Sequence, residues 1–447
     1  MRRSPLMWRR MPAVVLVALM FAWPAGPAGA EMKTFVQEYR DRAGREDDRN
    51  SVRIIAMRQV QRLLLEELGT FLEKETRMGN NRPGREQLIA LAAGIVETDT
   101  VDEKWDDRAY WLKSKLTVDS DAVVKSIDNL RRDPEKEKGL EDQRRRADSL
   151  LQESERLRRE LIAAKGKKRQ ADQAAFKNAI KKLEAIDWAE KGFVQFNQGK
   201  YAQAIGDFNR AVELDPQNVW AYYNRGVANT NLRQHTKAIQ DYSRVLELDP
   251  TYVAAYLNRG LGSFSLGQHD QALWNINKAI ELNPRLAAAY NIRGIVNANL
   301  GKFDQAIRDY DEALVLSPRF VAACLNRGLA NFNLARYDQA IQDYSRAIEL
   351  DQNLTVAHIY RGLAHYNLGG YDQAVQDYNR ALELDPNQAA AYYDLARVYA
   401  RKENYGQALQ NLRQAMRISP DFKNTAKSDR DFDGMRKEPD FINLIGE

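Results

Sequence analysis

Residues 185–218 read AIDWAEKGFVQFNQGKYAQAIGDFNRAVELDPQN, and residues 219–252 read VWAYYNRGVANTNLRQHTKAIQDYSRVLELDPTY. Laid over each other they show a glycine, an alanine, an aromatic, a small apolar residue (Ala211, Val245) and a proline at the same offsets. The pattern recurs in seven 34-residue units, 185–218, 219–252, 253–286, 287–320, 321–354, 355–388 and 389–422. Gly192, Gly226, Gly260, Gly294, Gly328 and Gly362 take the eighth position, and Ala204, Ala238, Ala272, Ala306, Ala340, Ala374 and Ala408 the twentieth. A fixed period of this length implies stacked helical hairpins, each burying its apolar face on its neighbours.

Helices approach to about 8 Å only where their contact residues are small. Positions eight and twenty are therefore where the two helices of a hairpin should touch, with aromatics at positions four and twenty-four filling the space between hairpins. Asp215-Pro216, Asp249-Pro250 and Asp385-Pro386 should stop the second helix, since proline lacks an amide proton and restricts the residue before it. Gly199, Gly267, Gly301 and Gly369 should make the turns within hairpins.

The first unit resembles the tetratricopeptide repeat: Trp188, Gly192, Ala204, Phe208, Ala211 and Pro216 stand where that family has Trp, Gly, Ala, Phe, Ala and Pro. Later units relax the pattern, with Tyr222, Tyr256, Tyr290 and Tyr392 for the Trp, Cys324 and His358 in units five and six, and Gln352 for the closing proline of unit five. The resemblance spans Ala185 to about Phe422. It implies a mainly α protein: a right-handed superhelical solenoid of seven hairpins that binds proteins or peptides and is not an enzyme.

Position seven, usually Leu in that family, is Arg225, Arg259, Arg293, Arg327 and Arg361, and position twenty-three is Asp207, Asp241, Asp309, Asp343 and Asp377. In unit seven both change, to Leu395 and Asn411, and unit three has Arg259 with Asn275. This covariation predicts an Arg–Asp pair joining the two helices of a hairpin, a device for register more than for net stability.

Ahead of the repeats, Arg2, Arg3, Arg9 and Arg10 precede an apolar run from Ala13 to Trp23, followed by Ala28-Gly29-Ala30. This is the pattern of a secretory leader, residues 1–30, cleaved after Ala30; the run is too short to span a bilayer stably. The expected location is the periplasm or the exterior, with no membrane span after cleavage. Taking those four arginines from the net charge of +5 leaves about +1, so no concentrated basic face calls for nucleic acid. Cys324, the lone cysteine, has no disulfide partner and reads as a small buried apolar residue.

Residues 31–132 read as a small α+β domain. Phe35 and Tyr39 mark an opening strand; Val52, Ile55, Ala56, Val60, Leu63, Leu64, Leu68, Phe71 and Leu72 recur at helical spacing; Glu86 to Ala93 is a second helix. Strands Gly94–Trp105 and Arg108–Val118 should follow, joined at Asp106-Asp107, with Tyr110, Leu112, Ser114, Leu116 and Val118 on one face. The order resembles small domains of bacterial outer-membrane lipoproteins and flagellar envelope proteins, which implies an envelope role. Residues 133–184 are a charged helical linker with Leu140, Ala147, Leu150, Leu157, Leu161 and Ala164 at coiled-coil spacing. It reads either as a solvated spacer or as a self-associating coiled coil, and on both readings it holds the α+β domain away from the repeats. Residues 423–447 should form a polar C-terminal cap.

In such an array the first helices line the concave side, and positions six and thirteen fall on one stripe. Asn224, Asn258 and Asn326 hold position six, and Asn197, Asn231, Asn299, Asn333 and Asn367 position thirteen. An amide both donates and accepts, so a row of them can hold an extended peptide backbone. This resembles the asparagine ladder of some tetratricopeptide superhelices; flanking Phe196, Phe264, Phe332 and Tyr366 could add apolar pockets. The bland alternative has the asparagines bridging helices and the aromatics in the core. The carboxylate clamp of some cytosolic members is not carried over, because Ala189 and Phe193 stand at its Lys and Asn places.

Neither a phosphate loop nor a nucleophile elbow nor a dinucleotide fingerprint appears. His358 and His365 share a helix but lack a visible carboxylate or Cys partner, so no metal and no cofactor are expected. The function expected is a non-enzymatic periplasmic scaffold for protein or extended-peptide partners, with an accessory role in polysaccharide synthesis or export as the alternative.

Overall fold

The computed structural model describes residues 32–42, 48–74, 83–106, 109–131 and 134–446. The leader and the Asp106-Asp107 junction expected from the sequence lie wholly or partly outside these residues. The chain divides into two compact units between Gln268 and His269, each taken by itself below.

The first unit opens with β1 (Met32–Arg42), α1 (Arg49–Lys74), α2 (Arg85–Ala93), β2 (Asp99–Asp106), β3 (Ala109–Asp119) and α3 (Ser120–Arg131). The strands form an antiparallel sheet in the order β1-β3-β2, with Phe35 opposite Leu116 and Tyr39 opposite Leu112. Alternation along β3 sends Tyr110, Leu112, Leu116 and Val118 to one buried face, where Val52, Ala56, Val60, Leu64 and Leu68 of α1 meet them. The strand expected from Gly94 begins only at Asp99, because the amides of Gly94, Ile95 and Val96 bond back to Leu91 and Ala92 and prolong the end of α2. A helix not expected from the sequence, α3, closes the core with Val123, Val124, Ile127 and Leu130 at 3–4 residue spacing.

The linker expectation is corrected. Residues 134–184 fold as α4 (Pro134–Ala163) and the first half of α5 (Gly166–Asn197), a hairpin that runs without a break into the first repeat. Ala147, Leu150, Leu157 and Leu161 do not await a partner chain; they pack on Ile54 and Ile55 of α1 and on Phe176, Ala179, Ile180 and Leu183 of α5. Heptad-like spacing serves a helical hairpin as well as a coiled coil, so the pattern alone could not choose. Far from being held away, the α+β domain shares one core with Phe193, Phe208 and Trp220 of the first two repeats.

The repeats in this unit are α5 with α6 (Tyr201–Leu214), α7 (Val219–Asn231) with α8 (His235–Leu248), and α9 (Val253–Ser265). The second unit holds α10 (His269–Leu282), α11 (Ala287–Asn299), α12 (Phe303–Leu316), α13 (Val321–Asn333), α14 (Tyr337–Leu350), α15 (Thr355–Leu368), α16 (Tyr371–Leu384), α17 (Ala389–Arg401) and α18 (Tyr405–Ile418). It ends with α19 (Phe422–Ser428), a 3₁₀ turn (Arg430–Met435) and α20 (Pro439–Gly446). Gly199, Gly267, Gly301 and Gly369 take φ of +74° to +81° in the hairpin turns, while Arg233, Ala335 and Glu403 adopt the same left-handed backbone without glycine's freedom.

In units one, two, four, five and six, position eight faces the ring at position twenty-four. A Cβ built on Gly226, Gly294 or Gly328 would lie 2.7, 2.5 or 2.6 Å from Cε1 of Tyr242, Tyr310 or Tyr344. Those rings fill the hairpin interior and also reach the next hairpin, as the sequence predicts: Phe208 meets Trp220 and Tyr344 meets Tyr360.

The Arg–Asp pairs are present and extend further than the covariation suggested. Arg225, Arg293, Arg327 and Arg361 meet Asp241, Asp309, Asp343 and Asp377 at 2.5–2.6 Å. Asn229, Asn297 and Asn331 donate to the second oxygen of the first three aspartates, at 2.8–3.0 Å. The guanidinium's other nitrogen reaches back one hairpin, to Asn209, Asn277, Asp311 and Ser345. Each arginine thus fixes the two helices of its hairpin and the preceding hairpin at once. Lys191 substitutes in unit one, 3.9 Å from Asp207.

Among the described residues no helix is long and apolar enough to cross a membrane.

Candidate protein-interaction face

The first-helix face of the first repeat is occupied by the chain itself. At position six, Glu190 accepts from Nη1 of Arg58 on α1 at 2.8 Å, and Asp187 lies 2.5 Å from Arg58 Nε. Burial pushes the Asp187 carboxyl up to about 7 against the pull of Arg58. At position nine, Phe193 is fully buried, and a Cβ on Gly94 would touch its ring at 3.0 Å. At position thirteen, the Asn197 amide donates to the Gly94 carbonyl at 2.9 Å. Phe196 packs on Phe193 and Tyr201. Asn197 and Phe196 are accordingly removed from the set of partner-contacting residues: their partner is the N-terminal module, which the sequence could not place beside them because 103 residues separate Asn197 from Gly94.

The last repeat is closed in the same way. Asp394, Arg397 and Arg401 hold positions six, nine and thirteen of α17. Arg397 bonds Asp394 at 2.9 Å and Asp431 at 2.8 Å and stands 4.7 Å from the Tyr366 ring; Tyr393 donates to Asp429. Burial raises the Asp394 carboxyl above the ordinary range, opposed by Arg397. The C-terminal segment expected to be polar inserts Phe432, Met435 and Phe441 into the core of this repeat.

Between these ends the asparagines separate by position. Those at position six are structural: Asn224 is buried and donates to Trp220 O, Asn258 to Tyr223 Oη, and Asn326 to Oδ1 of Asn291 in the preceding repeat. Burial takes Asn224 out of the set expected to contact a partner, and Asn258 and Asn326 are half-buried between neighbouring first helices. Those at position thirteen are exposed: Asn231, Asn333 and Asn367 donate only to the carbonyl four residues back, and Asn299 is exposed likewise.

Two of the aromatics are also spoken for. Phe332 packs on Tyr337 at 5.3 Å and Tyr366 on Tyr371 at 5.7 Å, each clasping the turn of its own hairpin, so neither is an open pocket; Phe264 is half-buried. The apolar surface missed by the sequence reading lies one residue on, at position fourteen, where Leu232, Leu266, Leu300 and Leu368 are exposed. The recurring Asn-Leu pair at residues 231–232, 299–300, 333–334 and 367–368 was the available signal.

His358 and His365 do have a carboxylate neighbour: their nitrogens lie 3.5 and 3.9 Å from Asp377. Arg361 already holds that carboxylate with three hydrogen bonds, and no cluster of His, Cys, Asp and Glu suited to a metal occurs among the described residues.

Family models described as tetratricopeptide repeat match residues 219–252, 287–320, 321–354 and 389–422, and one described as TPR repeat matches 192–232 and 366–403. The chain is a tetratricopeptide repeat protein. Arrays of this family bind proteins or peptides and are generally not catalytic, which makes the chain a protein-interaction scaffold. Among solved structures it is similar to YrrB, titled a TPR protein with an unusual peptide-binding site, at 28% identity over 42% of this chain and 98% of that one, with a TM-score of 0.38. MamA aligns at 27% identity over 36% and 94% of the two chains, TM-score 0.34. A tetratricopeptide repeat protein from Parabacteroides merdae aligns at 16% over 59% and 99%, TM-score 0.45. No curated protein matches the chain in sequence.

Proposed function

We propose that this tetratricopeptide repeat protein is a periplasmic scaffold of the bacterial cell envelope, exported by its leader, that holds an extended segment of a partner along the exposed edge of the first helices in its second compact unit. The observation that carries the reading is the division of the asparagines: those at position six are buried or half-buried on bonds within the array, while Asn299, Asn333 and Asn367 of the second unit present amides to solvent. The neighbouring leucines supply apolar contact at the same spacing. Main-chain hydrogen bonds to amides give affinity without demanding a particular side chain, and the leucines add what selectivity there is. The basic stretch, apolar run and small residues of positions 2–30 support export.

Capture from periplasmic extract tests this. With Asn299, Asn333 and Asn367 all changed to Ala, the immobilised chain should recover the partners of the unaltered protein at least tenfold less well, whereas Asn197→Ala should recover them in full. Equal recovery by the threefold variant removes the exposed edge from the account.

A further inference from the structure

Lys165, Lys167, Lys168 and Arg169 stand where α4 turns into α5, all exposed, with no acid among them. Their place in the fold is set by Arg158, which donates to Asp41 near the end of β1 at 2.8 Å. At 1.5 Å per helical residue, the turn projects roughly 8–10 Å beyond that contact. The end of β1, the start of α1 and the β2–β3 hairpin lie at this same end of the module. There Arg40 and Lys104 flank Trp111 across the sheet, Lys104 Nζ stands 5.0 Å from the Trp111 ring, and with Trp105 they line a shallow open cleft. Of the described acids at this end, Asp41 meets Arg158, Glu103 meets Arg53 and Tyr110, Glu160 meets Arg156, Asp106 meets Arg40, Asp102 meets Lys104 and Asp48 bonds Ser51, while Asp172 follows Arg169 by three residues.

We infer that this end of the N-terminal module docks on an anionic phospholipid bilayer. The four cations sit on a convex hairpin tip, which meets a flat surface; a nucleic-acid strand is gripped in a basic groove instead. Tryptophan suits the boundary between headgroups and acyl chains, with its ring in the apolar side and its N–H toward water. Each Lys or Arg brought to an anionic leaflet strengthens binding by roughly fivefold. The inference goes beyond the scaffold reading and fails separately from it, since it concerns neither the first-helix edge nor a protein partner.

The chain from residue 31 onward, which contains every described residue, would be sedimented with vesicles of phosphatidylglycerol mixed with phosphatidylcholine, and with vesicles of phosphatidylcholine alone. Binding to the anionic vesicles only, lost in half-molar salt, is the expected result. Lys165→Gln, Lys167→Gln, Lys168→Gln and Arg169→Gln together should weaken it by at least about 30-fold, while Lys165→Arg, Lys167→Arg and Lys168→Arg should retain it. All these side chains are exposed, so thermal unfolding of the variants should match that of the parent chain and exclude misfolding. Equal binding to neutral vesicles, undiminished binding by the glutamine variant, or binding to a single-stranded oligonucleotide with none to either vesicle overturns the inference.

Discussion

Arg327→Leu is expected to lower the stability of the second compact unit by about 3 kcal/mol, the low end of the range for breaking a buried ion pair. The substitution strands Asp343, which is only 5% exposed on its side chain, with Asn331 as its remaining donor. Burial already raises the Asp343 carboxyl above the ordinary range, against the pull of Arg327 and Asn331. The contact of Arg327 with Asp311 adds little, because Asp311 is half exposed. The double variant Arg327→Leu with Asp343→Asn should recover most of the loss. Unit seven carries this pair in nature as Leu395 and Asn411, and Asn411 satisfies its amide on the carbonyl of Gln407 at 2.8 Å. Chemical denaturation of the four proteins closes the cycle. A double variant no more stable than the single one denies the coupling.

The second large effect concerns Gly294. A Cβ there would sit 2.5 Å from Cε1 and 2.9 Å from Cζ of Tyr310, a ring that is 1% exposed and cannot swing aside. Gly294→Leu should overpack the hairpin and cost about 1 to 3 kcal/mol or more, and Gly294→Ala should already show part of the loss. Gly206, also in a helix of the array, has nothing within 4 Å of its would-be Cβ, so Gly206→Ala should stabilise by about 0.5 to 1 kcal/mol. Unit seven again shows the compensated form, with Ala396 at position eight and Leu412 at position twenty-four in one core. Gly294→Ala with Tyr310→Leu should therefore melt higher than Gly294→Ala alone. A Gly294→Leu protein that melts with the parent chain refutes the packing assignment.

Both expectations rest on comparing units, and this is where the sequence was most legible. Seven copies expose covariation within one chain: Arg with Asp, Leu with Asn, Gly with Tyr, Ala with Leu. What the copies do not share was hidden. The contact of the N-terminal module with the first repeat joins Arg58 to Asp187 and Glu190, residues of types that ordinarily face water. Nothing in their local spacing distinguishes them from the solvated charges around them. The leucines of α4 posed a different difficulty, since one periodicity serves two kinds of helix pairing.

The candidate face was half legible for a related reason. Asn224 and Asn231 lie on one stripe of one helix, seven residues apart, yet Asn224 is buried and Asn231 exposed. The difference is made by the packing around each, and a single helix read alone does not contain it. The closed ends follow the same logic. Terminal repeats lack a neighbour and need a cap; here the caps reach over the first-helix face as well as the exposed end.

The account holds that the open first-helix edge of the interior repeats grips another protein, and that the first repeat cannot, because its own N-terminal module sits there. Site-specific photocrosslinking in the native envelope separates the two positions directly. A photoreactive phenylalanine at position 333 should yield a heavier adduct containing a second protein, and the same residue at position 197 only a crosslink within the chain, to the segment around Gly94. An adduct with a second protein at 197 and none at 333 would contradict the account.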